Sequence, residues 1–413
     1  MCSNIEKPSE YACSGCAACC SLCPQGAVYL QLDQAGFYAA QVDSEKCIHC
    51  GLCLKVCSRY EDQIKGISLY DSRLYALQSS NKSVVRKCSS GGIAHEIAAY
   101  LIRSGWKAAG AVYNYDTHQV EHRIVSREED LYRLDGSKYL QSNPQRAFQE
   151  VQEELKKNQD SRFVIFGTPC QIAGLAKCGI EAGTRNRMLL VEIFCHGVPS
   201  YYLWEEERRK ISRKLGTDSF DNLQFRHKKD DWHSYCLRAD GGSKTFYGAR
   251  ERELFWQVFF ENVLLGDSCY TCRLRKEISM ADLRLGDYWG RRFQNRSDGV
   301  SAVFACSENG RRIIDDLLEK KYAVSFEPGT AEQMLAAQNM EGYHQNALHD
   351  EAMNVLREEG NIHKAVRVYR KKLPIKLKVK RTLLQMSAVI PDRARASIRK
   401  YYSVFCIRIM KER

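Results

Sequence analysis

After residue 70 the apolar positions change period repeatedly, and each change marks a new element. Residues 74–78 (LYALQ) predict a strand, and after the turn CSSGG at 88–92 the residues Ile93, Ile97, Leu101 and Ile102 keep near-helical spacing. Residues 109–115 predict a second strand, and 119–125 alternate well enough to pair with it as a hairpin. Pro144 stands where a first helical turn accepts proline, ahead of Phe148, Val151 and Leu155. FVIFG at 163–167 is a continuous apolar strand that runs straight into Thr168, Pro169 and Cys170 and then a helix, QIAGLAKC. MLLVEIF at 188–194 does the same and ends at Cys195, His196 and Gly197. Periods that switch from two to 3.6 and back favour an α/β sheet covered by helices. Two cysteines then emerge at the carboxyl ends of neighbouring buried parallel strands, the edge where ligand sites collect. An apolar-aromatic helix is predicted over 254–265, and past residue 307 the positions Ile313, Ile314, Leu317 and Leu318 mark amphipathic helices without chemistry.

Before this series the periodicity is replaced by cysteines. Cys13-x2-Cys16-x2-Cys19-x3-Cys23, followed by Pro24, recurs 34 positions later as Cys47-x2-Cys50-x2-Cys53-x3-Cys57, followed by Ser58. That is the ligand code of a two-cluster bacterial ferredoxin, in which the fourth thiolate of each run reaches across to the other cubane. Cys13, Cys16, Cys19 and Cys57 are expected to hold one [4Fe-4S] cluster, and Cys47, Cys50, Cys53 and Cys23 the second. Paired CxxC motifs also bind structural zinc, and cysteine-dense secreted chains form disulfides. Neither explains eight ligands in this register. Cys20, inside the first run, leaves two adjacent thiols as candidates at that point.

The 413 residues suffice for two or three domains, and the cysteine-rich part takes only a small share. The expected architecture is an α+β ferredoxin-like dicluster domain at 1–65, a larger α/β domain at 66–310 and a helical, basic C-terminal extension at 311–413. Residues 1–11 are polar and nowhere do eighteen apolar residues follow one another, so a cytoplasmic protein is expected. Nineteen cysteines in a reducing compartment read as metal ligands and buried thiols. The net charge of +12 sits almost wholly in residues 361–413, where sixteen Lys or Arg face only Asp392 and Glu412. These cations are interleaved with Leu, Ile, Val and Tyr (KKLPIKLKVKRTLL), so the arm suits an anionic membrane surface, an acidic partner or a solvated helix pair better than nucleic acid.

Four more cysteines carry a second set of expectations. Cys170, Cys195 and the pair Cys269 and Cys272 would make a third tetrahedral thiolate site; the bland alternative is two buried thiols and a separate redox or zinc pair. Ser89, Ser90, Gly91 and Gly92 form a donor-rich turn at a helix start, suited to a phosphate or merely to an N-cap. GSKYLQS at 136–142 offers Lys138, Tyr139, Gln141 and Ser142, and HKKDDWHSY at 227–235 is either a receptor for an acidic planar molecule or a solvated charged loop. His49 and His196 adjoin ligand cysteines and read as supporting donors.

GTPCQIAGL (167–175), CHGVPS (195–200), the CxxC at Cys269 and Cys272, and KEISMADLRLGDYWG (276–290) together resemble the coenzyme F420 hydrogenase/dehydrogenase beta-subunit family. Some members of that family carry an N-terminal ferredoxin domain. The resemblance spans roughly residues 11–306. It implies FAD in the α/β domain beside a third [4Fe-4S] cluster held by Cys170, Cys195, Cys269 and Cys272, with Ser89, Ser90, Gly91, Gly92, Lys138, Gln141 and Ser142 as flavin contacts. A flavin exchanges a hydride in one two-electron event while clusters carry electrons singly. The expected function is therefore an oxidoreductase joining hydride transfer to one-electron transfer, with F420 as a candidate substrate and a ferredoxin or other redox protein as partner. The competing reading is an electron-relay subunit with no hydride substrate, which flavin content discriminates. No catalytic acid or base is required by this scheme.

Overall fold

The computed structural model describes residues 4–229, 231–233, 235–338, 347–375, 378–379 and 382. Most of the basic arm lies outside the described residues.

The first unit consists of helix α1 (Ala18–Leu22), the hairpin β1 (Val28–Leu32) and β2 (Tyr38–Val42), and helix α2 (Leu52–Lys55). Short helices are marginal alone. These two are pinned because each cysteine run turns sharply around its second thiol. Gly15 and Ala17 flank Cys16 with φ of 63° and 60°, and His49 and Gly51 flank Cys50 with φ of 54° and 76°. The same left-handed pair in both runs is the backbone counterpart of the sequence repeat. Ala17 and His49 carry the steric penalty that glycine avoids at the matching positions.

A two-residue strand, β3 (Ile67–Ser68), leads into β4 (Arg73–Ser79), α3 (Lys82–Lys87) and α4 (Ile93–Arg103). The hairpin β5 (Lys107–Asn114) and β6 (Gln119–Val125) follows, then β7 (Ser142–Asn143), α5 (Gln145–Lys157), β8 (Phe163–Gly167), α6 (Pro169–Glu181), β9 (Met188–Ile193) and α7 (Tyr201–Leu215). A small antiparallel sheet, β10 (Asp221–Gln224), β11 (Cys236–Gly241) and β12 (Lys244–Ala249), precedes α8 (Leu254–Glu261) and α9 (Asp267–Tyr270). The chain then returns through β13 (Ile278–Ser279), paired with β3, to β14 (Leu283–Asp287), β15 (Ser301–Ala305), α10 (Glu308–Glu319) and β16 (Ala323–Phe326). Helices α11 (Ala331–Ala337), α12 (Ala347–Glu359) and α13 (Ile362–Lys372) complete the described part.

Nine strands form one sheet in the order β16-β4-β15-β14-β9-β8-β5-β6-β7. Its centre, β14-β9-β8-β5, is parallel, which is why β8 and, apart from Glu192, β9 are apolar rather than alternating. Helices α5 and α6 cover one face through Phe148, Val151, Leu155, Ile172 and Leu175, and α4 and α10 cover the other through Ile93, Ile97, Leu101, Ile314 and Leu317. A third, aromatic core joins α7, α8, α12 and α13 to the N-terminal hairpin, with Trp204, Phe255, Trp256 and Phe259 at its centre.

Two boundaries differ from expectation. The division placed at residue 310 falls inside α10, and β16 beyond it pairs with β4, so the sheet domain runs past residue 320. The aromatic helix expected to reach residue 265 stops at Glu261, because Asn262 takes a left-handed conformation (φ 56°).

Candidate functional site

Sequence and fold converge at the carboxyl edge of β8 and β9. Helix α6 begins there with a capping box, in which the Thr168 hydroxyl and the Gln171 side chain satisfy each other's backbone N–H groups and Pro169 occupies the first turn. Cys170 therefore leaves the sheet edge in a fixed direction. Cys195 follows β9 directly, and both thiols are pushed well above the ordinary range, first by burial and then by neighbouring thiol charges: those of Cys16, Cys272 and Cys269 at Cys170, and those of Cys269, Cys170 and Cys272 at Cys195. Cys269 is pushed up to about 11, by burial and then by Cys272. Four half-buried thiols from two strand ends and one CxxC thus lie within electrostatic reach of one another.

The CxxC loop is held by arginines. Arg275 donates to the Cys269 carbonyl (2.8 Å), and Arg284, fully buried against Glu192, donates to the carbonyls of Lys276 (2.5 Å), Ile278 (3.0 Å) and Leu274 (3.3 Å). Burial raises the Glu192 carboxyl, and the Arg284 charge opposes that rise. Arg273 reaches the other way, to the carbonyls of Ser58 (2.5 Å) and Glu61 (2.7 Å), with its guanidinium over the Tyr11 ring. One loop thus touches both the α/β thiols and the end of the second N-terminal cysteine run.

Among the N-terminal thiols, the fourth cysteine of the second run stands with the first three of the first run. Cys16 is raised by burial and by the charges of Cys19, Cys57 and Cys13, and Cys57 is pushed up to about 11 by burial with Cys19 and Cys13 beside it. Cys57 therefore lies with the first run. Burial raises Cys53, with Cys19 and Cys50 adding to it. Backbone amides donate to sulfur at Cys13 (from Gly15 and Ala40, each 3.5 Å) and at Cys23 (from Ala27, 3.3 Å), and Asn4 Nδ2 lies 3.7 Å from the Cys47 sulfur. Cys50 is exposed beside Ile48, which is 59% exposed. Among the described residues no three His, Cys, Asp or Glu side chains crowd closely enough for a single metal ion.

Next to Cys195 opens a cavity of about 350 Å³, whose lining includes Ser89, Ser90, Gly92, Thr168, Cys195 and His196. Helix α4 starts in this wall at Gly92 (φ 84°) with no side chain capping its first turn, so its free amides are available to an anion. The turn is tightly seated. Ser89 Oγ accepts from Ser137 N (2.8 Å), Ser90 Oγ donates to the Val300 carbonyl (3.0 Å), and Gly91 N donates to Ser301 Oγ (3.0 Å). A Cβ on Gly91 would stand 2.5 Å from the Leu77 carbonyl oxygen, so this position serves backbone packing rather than the cavity.

Two other expected contacts have different roles. Lys138 lines the cavity, but its ammonium donates to the carbonyls of Asp135 (2.8 Å), Leu134 (3.0 Å) and Arg133 (3.1 Å), and burial pulls it down to about 8. Gln141 is not in the cavity wall. Its Oε1 accepts from Tyr38 N (2.6 Å) and its Nε2 donates to the carbonyls of Tyr38 (3.0 Å) and Ser14 (3.1 Å), tying the N-terminal unit to the sheet domain. Ser142 does line the cavity and accepts from Gln171 Nε2 (2.9 Å).

The described residues of the 227–235 segment do not form a solvated loop throughout. Trp232 is fully buried, stacks on Trp289 at 5.2 Å and 9°, and donates to Asp287 Oδ1 (2.9 Å), while Arg226 pairs with the same carboxylate. Tyr235 and Trp289 line the cavity. Sequence reasoning missed Cys88, His95, Asp135 and His122 in the same wall. His95 Nδ1 lies 2.9 Å from Asp135 Oδ1; burial lowers its basicity, but the bond to Asp135 and its charge outweigh that and leave it raised. Cys88 opens the CSSGG turn, but no motif marks the other three, because they are single side chains that only the fold assembles.

Comparison with known proteins follows this division. Residues 160–330 match the family described as the C terminus of the beta subunit of Coenzyme F420 hydrogenase/dehydrogenase, and residues 12–59 match the 4Fe-4S dicluster domain, so both halves of the resemblance are borne out. The Coenzyme F420-dependent sulfite reductase of Methanocaldococcus jannaschii is 23% identical over 338 residues, covering 76% of this chain and 47% of that protein. One of the F(420)H(2) dehydrogenase subunits of Methanosarcina mazei is 22% identical over 191 residues, covering 44% of this chain and 53% of that protein. The chain thus spans about half the length of these two relatives. A chain of the F420-reducing [NiFe] hydrogenase complex from Methanosarcina barkeri superposes with a TM-score of 0.47 at 15% identity, over 71% of this chain and 96% of that one.

Proposed function

We propose that the chain is a flavin and iron-sulfur oxidoreductase of the F420H2:acceptor type, in which hydride transfer at FAD is joined to single-electron transfer. Cys13, Cys16, Cys19 and Cys57 hold one [4Fe-4S] cluster, Cys47, Cys50, Cys53 and Cys23 a second, and Cys170, Cys195, Cys269 and Cys272 a third. The donor sets fit: each is four thiols, and the buried ones repel each other's charge in a way that a bound cationic cluster relieves. The cavity fits FAD through the uncapped start of α4 for the pyrophosphate and an aromatic wall of Tyr139, Tyr235 and Trp289 for a planar ring.

The observation that carries this reading is continuity. Cys195 lines the cavity, Cys170 of the same thiol group feels the charge of Cys16, and Cys16 belongs to the N-terminal set. When bound, FAD exchanges hydride as an electron pair and the clusters exchange electrons one at a time. The chain's own residues supply the rest. The aromatic wall excludes water, the amides at Cys13 and Cys23 tune the sulfurs, and the exposed Cys50 and Ile48 offer a redox protein access to the far end.

The test is oxygen-free purification followed by counting. About twelve iron and twelve sulfide per chain, with one FAD and bleaching by F420H2, is the expected result. A colourless preparation containing zinc overturns the scheme. A preparation with iron but no affinity for FAD leaves only electron relay.

A further inference from the structure

Electrons that leave the cavity one at a time leave protons behind. A hydride donor of the F420H2 type gives up two electrons and two protons on full oxidation, and iron-sulfur clusters take only the electrons. The two protons need a group in the wall that accepts them and hands them to water.

His95, the third residue of α4, and Asp135 both line the cavity. The His95 Nδ1 stands 2.9 Å from Asp135 Oδ1. A carboxylate accepts, so Nδ1 carries the hydrogen and the lone pair of the neutral ring lies on Nε2. Neither side chain is sealed in: His95 keeps 19% of its surface accessible and Asp135 keeps 12%. The carboxylate is held in place from several sides. The Asp135 N–H donates to the Leu131 carbonyl (3.2 Å), its own carbonyl accepts from Lys138 (2.8 Å), and the Cys88 thiol lies 3.7 Å from the oxygen that faces His95. The bond from Ser137 N to Ser89 Oγ (2.8 Å) then closes this loop onto the CSSGG turn. A carboxylate fixed on one imidazole nitrogen, with the other left for exchange, is the arrangement that orients a general base.

The charges that bear on the ring are those of Asp135, of Glu96 on its own helix and of Glu128 in the turn at 128–133. Burial lowers the basicity of His95, but the Asp135 hydrogen bond and these charges outweigh it, so the ring accepts a proton more readily than an ordinary histidine. Other titratable groups of the wall are engaged elsewhere. His122 is only 3% exposed and donates to the Phe166 carbonyl, His196 is bonded to Asn262, Lys138 serves three carbonyls, and Asp287 holds Arg226 and Trp232.

We propose that His95, oriented by Asp135, is the proton acceptor of the cavity and passes to water the protons that the hydride donor leaves there. The assignment rests on the function proposed above and adds to it the acid-base group that the sequence did not call for.

The test uses the full chain purified without oxygen. In the FAD-free chain, diethyl pyrocarbonate reports on the ring directly, because it acylates an accessible imidazole nitrogen only in the neutral form; the modified peptide is read by mass spectrometry. The expected result is modification at His95 that FAD slows severalfold, with a pH midpoint above 6.5 in wild type and a lower one in Asp135→Asn. In the FAD-loaded chain, single-turnover bleaching by F420H2 should be roughly tenfold or more slower in His95→Gln and His95→Ala, at FAD affinities within about threefold of wild type, and free imidazole should partly restore the alanine variant. A His95 that FAD does not protect, or bleaching of His95→Gln at the wild-type rate, overturns the role of His95 alone. Slowing of His95→Ala that imidazole leaves untouched does the same, since packing would then explain it. A wild-type chain that binds no FAD, or whose FAD is not bleached by F420H2, overturns the proposed function and this assignment together.

Discussion

A Cβ built on Gly174 would stand 3.3 Å from the sulfur of Cys16 and 2.7 Å from the Cβ of Ala18. Helix α6, which presents Cys170 at its start, is therefore laid directly on the loop that carries the first N-terminal thiols. Cys178, one turn further along, donates to the Ala18 carbonyl (3.4 Å) and lies 3.6 Å from Ser21 Oγ, so the contact continues along the helix. The missing side chain at position 174 sets how closely the two thiol sites approach.

Replacing Gly174 by alanine tests that contact. Alanine in a helix interior gains up to about 1 kcal/mol over glycine. Overpacking a tight interface costs about 1–3 kcal/mol, and here a methyl would meet backbone-borne atoms that cannot swing away. The second effect should win, giving a lower thermal midpoint for Gly174→Ala in anoxic unfolding. An unchanged or raised midpoint would show that the approach is loose.

Cys195→Ala separates the third thiol site from the other two. With four ligands required, its removal should lower the iron count by about four per chain while leaving the N-terminal iron in place. Cys178→Ala is the matched control, since that thiol is buried on α6 but bonded only to α1. If both variants keep the wild-type iron content, Cys195 is a packing residue.

Gln141→Ala should separate stability from binding. The change strips partners from Tyr38 N, from the Tyr38 carbonyl and from the Ser14 carbonyl, all in a buried junction. Leaving such groups bare costs about 1–3 kcal/mol each, so roughly 3 kcal/mol or more in sum. The expected outcome is faster proteolysis of the N-terminal 65 residues with FAD affinity unchanged. Weaker FAD binding at unchanged protease resistance would return Gln141 to the cofactor site.

How much of this was legible depended on whether a feature is local. The N-terminal dicluster domain was readable because the spacing of its cysteines is itself a ligand code. Strands β8 and β9 were readable because burial on both faces removes polar residues almost entirely. Strand β16 was not, since four residues at a sheet edge, two of them exposed, carry almost no pattern. Gln141 was readable as a polar residue with a purpose but not as a bridge to Tyr38, a partner more than a hundred positions away. Lys138 misled for a related reason. A lysine in a polar loop suggests an anion, and only the fold shows three carbonyls already around it.

His122, only 3% exposed on β6, gives the last prediction, because its burial couples stability to pH. In the folded chain burial lowers its basicity from 6.5 to about 4, with the Lys138 charge acting in the same direction. The unfolded chain therefore takes up a proton on His122 as pH falls below 6.5, while the folded chain does not until about 4. Stability supplied by this group is complete above neutral pH and is lost as pH falls through that window, by roughly 2 kcal/mol between pH 7 and pH 5. His122→Gln has nothing to titrate there, so its denaturation free energy should fall by that much less over the same interval. Parallel profiles for wild type and His122→Gln would mean that the imidazole is already protonated, or solvated, in the folded protein.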